Sequence, residues 1–464
     1  MATLKRSMFR EYDIRGRESQ EELNVGSILH IVRGFARMLH EGGITECIVG
    51  HDARATSELF HARAMEALTR SGINVIDIGC VTTPMSYWAQ HHFKARGLCM
   101  ITASHNPAGW NGLKLGTDLS QTLGPEEIKT LYGIVEREEY VNGNGAIREE
   151  GVAKEYMSDL VNRSHMQRRL RILVNTGNGT AGIFAPELLR RAGHEVVEHL
   201  TNIDASYPNY TPNPDGLAMM QDTGKQTVDA GCDIGLAFDG DGDRLGVVDE
   251  RGEVVWPDRT MILLSRLVLS RTPGAKIVFD VKVSEALPED IAAHGGIPIM
   301  WKTGHSYIKA KMAQEKAALA GEMSGHIFFS EDYYGFDDAF FAALKLLEYL
   351  SGQSKSVSAV VGDTPYYVST PTIQARTSDE KKYGIVDQLV ASFKKDGYRV
   401  IDINGARVYM EGGWGLVRAS SNTPSLVLRF EAKTQNSLEN IQKVFREKLS
   451  AFPDVNQHWD TSGR

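Results

Sequence analysis

The chain is 464 residues long, 42% hydrophobic and 24% charged, with a formal net charge of −8. That length suits roughly three or four globular domains, and the negative balance argues against a broad nucleic-acid face, though not against a local basic pocket for a small anion. No apolar run approaches the ~20 residues of a membrane span, no signal peptide is visible at Met1-Ala-Thr-Leu-Lys-Arg6, and Cys47, Cys80, Cys99 and Cys232 show no C-x-x-C spacing, so free thiols in a cytoplasmic protein are expected.

Strand-like apolar runs alternate with helical patterns over most of the chain. Strands are expected over 46–50, 73–77 and 97–101, with a helix over 57–69 and another opened by Pro84. The rhythm restarts with a strand at 171–174, a helix near 184–192 and strands at 195–197 and 233–238. It restarts again with a strand at 276–279, a helix near 284–294, a strand at 298–301 and a helix near 306–315. Three successive β-α-β blocks imply α/β layers with largely parallel strands. The tail differs. Tyr366-Tyr-Val-Ser369 opens it and a helix follows near 379–394. Short strands at 398–402 and 406–410 are joined across Asn404-Gly405, a hairpin signal. Strands at 414–418 and 425–431 follow, and Leu438, Ile441, Val444, Phe445 and Leu449 recur at helical spacing. The tail therefore reads as α+β with antiparallel strands. Seams near 142–151, 252–258 and 352–364 divide the chain into 1–150, 151–253, 254–365 and 366–464, four units of ~100–150 residues.

Five stretches carry chemistry. Asp239-Gly240-Asp241-Gly242-Asp243-Arg244 lies between two strand-like runs. On a chain bent by two glycines, its three carboxylates can converge, and such oxyanions repel unless a cation sits among them. All-oxygen ligands favour a hard ion, Mg²⁺ or Ca²⁺. The competing EF-hand pattern fails at its sixth position, where Arg244 replaces the required glycine, and the flanks read as strands. Arg244 beside the carboxylates suits phosphate, which a guanidinium binds as a bidentate fork. Thr102-Ala-Ser104-His105-Asn-Pro107 follows a strand and leads towards Lys114. Ser104 reads as a nucleophile or a turn cap. Ser104 and His105 do not make a hydrolase dyad if the chain is extended there, because neighbouring side chains then point apart. Lys302-Thr-Gly304-His305 offers backbone N–H groups to an anion at a helix start and an imidazole able to move a proton near neutral pH. In Gly321-Glu322-Met323-Ser324-Gly325-His326, an extended loop would put the carboxylate, hydroxyl and imidazole on one side, suited to vicinal hydroxyls of a sugar. Arg418-Ala419-Ser420-Ser421-Asn422-Thr-Pro424 has the makings of a phosphate cradle.

Together these five stretches, in this order, resemble the α-D-phosphohexomutase family, and Phe9-Arg-Glu-Tyr12-Asp-Ile-Arg15-Gly16 matches that family's opening. The resemblance covers essentially the whole chain. It implies three α/β domains and a C-terminal α+β domain around a central cleft, each contributing one loop. It implies reversible transfer of phosphate between carbons 1 and 6 of a mannose or glucose phosphate, through a phosphoserine at Ser104 and a hexose 1,6-bisphosphate that also serves as activator. By the same resemblance, Ser104, Asp239, Asp241 and Asp243 bind Mg²⁺. The run from Glu322 to His326 holds the sugar, and Arg418, Ala419, Ser420, Ser421 and Asn422 hold the phosphate not being transferred. Tyr12, Arg15, Lys114, Arg244, Lys282, Gly304 and His305 line the cleft, with Arg15, Lys114 and His305 as candidate acid or base and the first two preferred. Met323 stands where glucosamine-handling members more often have glutamine. Two departures are Ser421, where asparagine or glycine is usual, and His51, where arginine is frequent. A phosphatase that passes the group to water, and a glucosamine-type mutase, are the alternative activities. The partners expected are hexose phosphates, with no nucleic acid and no membrane, and a monomer or weak dimer.

Overall fold

The computed structural model describes residues 4–420 and 423–459. Four sheets succeed one another along the chain. The first runs in the order Ile14–Arg17, Trp110–Gly116, Gly97–Ile101, Glu46–His51, Asn74–Cys80, Ile147–Glu149. Its last four strands are parallel, and the edge strands Ile14–Arg17 and Trp110–Gly116 are antiparallel. The second sheet is ordered Val254–Val255, Leu245–Asp249, Ile234–Phe238, Arg171–Asn175, Glu195–His199. The third has Ile297–Trp301, Lys276–Asp280, Leu319–Gly321 and Ile327–Phe329. Both keep a parallel centre with antiparallel additions at one edge. Val, Ile and Leu runs buried on both faces explain the parallel centres, as in Ile234–Phe238, where all five residues are buried.

The tail sheet is antiparallel throughout. Ser425–Ala432, the longest strand, pairs with Gly413–Ala419 on one side, and with Val368–Ser369 and Ile373–Arg376 on the other. The helices Lys382–Lys395 and Gln435–Leu449 cover one face. The tail has its own apolar core, with Leu389, Phe393, Leu428, Phe430 and Phe445 at its centre. By contrast, one continuous core joins the first three units, running from Ile48 and Trp88 through Tyr156 and Phe238 to Ile277 and Phe340. The body is thus welded by apolar packing, and the tail is a separately cored unit docked on the third.

The expected elements are present with ends shifted by a few residues; the helix expected from 379, for instance, is Lys382–Lys395. The Asn404-Gly405 connection is longer than a two-residue turn, because Ile401 pairs with Arg407. Several elements had no clear sequence signature. Ala339–Ser351 is buried almost all round and so shows no polar face, yet Asp338 caps it by accepting from the amides of Phe340 and Phe341. Trp110–Gly116 carries Lys114 at an inward position, which breaks the apolar pattern of a core strand. Among the described residues the four cysteines are free thiols, and no helix is long and apolar enough to cross a membrane.

Candidate functional site

Four of the five chemistry-bearing stretches sit at the carboxyl end of a strand in one of the first three sheets, the place where open α/β sheets leave a crevice, and the fifth follows Gly413–Ala419 of the tail sheet. The serine loop follows Gly97–Ile101, and the acidic loop joins Ile234–Phe238 to Leu245–Asp249. Lys282 follows Lys276–Asp280, His305 follows Ile297–Trp301, and the Glu322 loop joins Leu319–Gly321 to Ile327–Phe329.

The Ser104 hydroxyl donates to Asp239 Oδ2 at 2.9 Å and lies 3.2 Å from His105 Nδ1. The second contact corrects the extended-chain argument. Ser104 has φ of +49°, in the left-handed region, so its side chain and that of His105 meet rather than diverge. The bend is held by the Thr102 hydroxyl, which accepts from Ser104 N at 2.8 Å. Arg54, which sequence reasoning passed over, grips the same loop: its guanidinium donates to the carbonyls of Ser104, Asn106, Pro107 and Trp110. The only signal for it is its place in Gly50-His-Asp-Ala-Arg54, just past the strand Glu46–His51. Gly240 passes so close that a Cβ there would stand 2.5 Å from the Ser104 carbonyl oxygen. A Gly240→Ala chain should therefore fold with Ser104 displaced; were Ser104 a reacting group, a misplacement of about 1 Å would cost about 10²-fold in kcat. Steady-state kinetics with a thermal melt checks it, and an unchanged kcat would show that the two loops need not touch.

Asp239, Asp241 and Asp243 are fully buried and present ligand oxygens within 4.8 Å of one another. At that spacing each pair of charges repels by about 3–4 kcal/mol for an effective dielectric constant near 20. The structure shows a cation the sequence did not place there. Lys114, 2% exposed, pairs with Asp243 and lies 3.2 Å from Asp241 Oδ2. One ammonium roughly offsets the mutual repulsion of three carboxylates, and Arg244 Nε, 3.9 Å from Asp239 Oδ2, adds a second positive charge. Burial and its two neighbours push the Asp239 carboxyl well above its usual range. Burial also works against Asp243, but Lys114, His326 and Arg244 outweigh it and hold that carboxyl well below. Asp241 Oδ1 is buried without a hydrogen-bond partner and Asp243 Oδ1 has His326 Nε2 at 3.4 Å, whereas Asp241 Oδ2 accepts from the hydroxyls of Thr83 and Thr102. Three converging buried carboxylates, with Asp241 Oδ1 unpartnered, fit a hard divalent cation.

The sugar-loop residues converge by a turn, not by the extended alternation expected. Glu322 N donates to His326 O, Gly325 N donates to Glu322 O, and Gly325 has φ of +92°. His326 Nδ1 then lies 2.8 Å from Ser324 Oγ and 3.3 Å from Glu322 Oε2. On its other side His326 Nε2 lies 3.4 Å from Asp243 Oδ1 and 3.3 Å from Arg244 Nε. A neutral ring would accept from Arg244, and a charged ring would donate to the carboxylates. Burial and Arg244 oppose the charge, but Asp243 and Glu322 outweigh them, so the imidazole is pushed up to about 9 and is charged at neutral pH. His305 behaves oppositely. Burial, then Lys309 and Lys114, hold it well below the ordinary histidine range. The two rings stack at 5.6 Å, and Tyr12 meets His305 edge-on at 4.8 Å. Arg15 donates to Asp13 and to Asn106 of the serine loop.

The expectation that the Gly304 turn leaves amides for an anion needs correction: Gly304 N donates to Glu322 Oε1 at 2.5 Å. Asp280, which no motif flagged, ties the neighbouring loops together. It accepts from the Thr303 hydroxyl and the Met323 amide, and Lys282 Nζ is 3.6 Å away. Arg418 is buried on the tail strand Gly413–Ala419, and Ser420 N donates to Ser425 O. The Ala419 methyl belongs to the tail's apolar core, so only its backbone is available to a ligand. Ser421 and Asn422 lie outside the described residues.

Comparison with known proteins bears on what this arrangement serves. Phosphoglucomutase/phosphomannomutase family models match in register over the chain: alpha/beta/alpha domain I at 6–142, domain II at 154–252, domain III at 256–367 and the C-terminal domain at 373–448. The chain belongs to the phosphoglucomutase/phosphomannomutase family. Its similarity to the Pseudomonas syringae phosphomannomutase/phosphoglucomutase is 40% identity over 97% of this chain and 96% of that protein. A Neisseria meningitidis phosphoglucomutase is 40% identical over 98% and 99%. A solved Burkholderia thailandensis member of the family superposes with a TM-score of 0.92 at 36% identity, covering 98% of this chain and 99% of that one. The protein is thus a phosphohexomutase, and neither the phosphatase nor the glucosamine-type alternative is favoured.

Proposed function

We propose that the residues around Ser104 carry out reversible transfer of phosphate between carbons 1 and 6 of both mannose and glucose phosphates. The observation that carries this assignment is the Ser104 hydroxyl bonded to a buried acidic triad, with Arg244, one neutral histidine and one charged histidine beside it. Ser104 is the phosphoryl carrier. Its phosphoryl passes to the free hydroxyl of a hexose 1-phosphate, the bisphosphate turns over in the cleft, and the other phosphate returns to Ser104. Asp239, Asp241 and Asp243 would hold Mg²⁺ together with the serine phosphate. Bound there, the ion supplies electrostatic stabilisation of the transferring group. Arg244 adds a fixed positive charge on the same side.

Two proton movements are needed: the attacking hydroxyl loses a proton and the leaving oxygen gains one. Arg15 and Lys114 are both held as cations by carboxylates, so neither is free to accept a proton. His305, kept neutral, is the acceptor that fits, and charged His326 is the donor, an assignment by opposed environments. Glu322, Ser324 and His326 hold the sugar hydroxyls, and Lys282 and Tyr12 close the cleft around them. Arg418 with the loop from Ser420 to Asn422 receives the phosphate that stays. With the division at 1–150, 151–253, 254–365 and 366–464, every unit supplies at least one loop of the cleft, and the third supplies three. A monomer or weak dimer in the cytoplasm is sufficient for such a site.

A coupled assay with mannose 1-phosphate and glucose 1-phosphate tests this reading, with and without Mg²⁺ and a bisphosphate primer. Hexose 6-phosphate should form from both sugars, dependent on Mg²⁺ and stimulated by primer. Inorganic phosphate as the main product would return the site to a phosphatase.

A further inference from the structure

Two buried arginines of the tail have no role in the site described above. Arg407 is 0% exposed and Arg429 is 4% exposed. Both donate into one turn of the third unit, Val281-Lys282-Val283. Arg407 Nη1 donates to the carbonyls of Val281 and Val283, each at 2.7 Å, and Arg429 donates to the carbonyl of Lys282. Three successive carbonyls are thus taken by the tail. The amides on either side of Lys282 are held by the third unit instead: Val281 N donates to Trp301 O, and Val283 N to Asp280 O. Buried backbone groups need partners, and at this turn the donors and acceptors are satisfied by different units.

Both arginines are locked. Arg407 stacks on Trp414 at 3.6 Å and pairs with Glu285 at 2.7 Å, while Arg429 pairs with Asp258 at 3.0 Å. The tail sheet places them beside the phosphate loop. Leu416 is paired across the sheet with Arg407 on one neighbouring strand and with Arg429 on the other. Arg418 stands two residues further along the same strand, so it shares their face by strand alternation. The arginine of the phosphate cradle and the arginines that grip the Lys282 turn are carried by one rigid surface.

We propose that Arg407 and Arg429 are positioning residues for Lys282, fixing the aim of the sugar-site lysine to the tail sheet that bears Arg418. The pose of Lys282 then follows the tail, so that seating a phosphate at Arg418 and presenting an ammonium to the sugar phosphate are one movement. This rests on the reading of Lys282 as a substrate-binding residue.

The test uses the full-length enzyme with glucose 1-phosphate in a double-mutant cycle of Arg429→Lys and Arg407→Lys with Lys282→Met. Lysine keeps the charge and most of the stem but cannot reproduce the fork. Each arginine variant should raise KM about tenfold with kcat within about twofold of wild type, the pattern of lost binding, not lost chemistry. In the Lys282→Met background the same changes should raise KM by no more than about twofold, because the group they aim is gone. If the increases persist in full without Lys282, or if kcat falls while KM does not move, the positioning role is wrong. If Lys282→Met alone leaves KM unchanged, the assignment of Lys282 fails and takes the inference with it. Thermal melts accompany each variant. Should one fail to fold, the other arginine carries the cycle, and an unchanged KM in a folded lysine variant overturns the proposal.

Discussion

Replacing Ser104 with alanine should abolish isomerisation of glucose 1-phosphate, with a loss of about 10⁴-fold or more, because the phosphoryl carrier itself is removed and not a contact to it. The side chain makes few bonds, one to Asp239 and one to His105. The fold should therefore persist, with a melting temperature near that of wild type. Mg²⁺ should still bind, since all three aspartates remain. A labelled hexose 1,6-bisphosphate should mark the wild-type chain at Ser104 and leave the variant unmarked. Near-full mutase activity in Ser104→Ala would overturn the role assigned to it.

Lys114→Met should produce three effects, one of them of opposite sign to the others. Lys114 is buried against Asp241 and Asp243, and removing one partner of a buried pair typically costs about 3–5 kcal/mol, against about 0–1 kcal/mol for a surface pair. The metal-free variant should melt well below wild type. Mg²⁺ should bind it more tightly, since no ammonium competes for the same oxygens, and should restore more of the lost stability than it adds to wild type. Turnover should nonetheless fall, because the site loses a fixed positive charge beside the transferring group. Melting curves with and without Mg²⁺, calorimetry with Mg²⁺ and kcat measure the three effects. A variant that binds Mg²⁺ more weakly and gains nothing from it would mean that Lys114 supports the ion rather than substituting for it.

Both experiments probe a cluster that was half legible in the chain. The convergence of Asp239, Asp241 and Asp243 could be read because the cause is local: alternating carboxylates on a backbone bent at glycine, with Gly242 at φ of +76°. The serine loop was readable as a strand exit but not in its detail. Its left-handed bend depends on Thr102 beneath it and on Arg54, some 50 positions away. Lys114 was expected in the cleft, but nothing in its neighbourhood said that it would enter the triad itself. It does so because Trp110–Gly116 pairs antiparallel with Gly97–Ile101, which brings the lysine to the base of the serine loop.

The histidines show the same boundary from another side. Their presence in Gly304-His305 and Gly325-His326 is a matter of sequence. Their different protonation states are not, because each follows from what packs against the ring: carboxylates around His326, and full burial with two lysines around His305.

What the sequence by itself determined is whatever depends on neighbours along the chain: the period of most strands and helices, the glycine bends, the order of the five loops and, through them, the family. What only the tertiary structure decided is charge and aim. Which carboxylates share a cation, which histidine holds its proton and which unit grips the Lys282 turn all depend on groups brought together from different sheets. Electrostatic and hydrogen-bond energies act across space at a few ångströms, and chain separation carries no information about that distance.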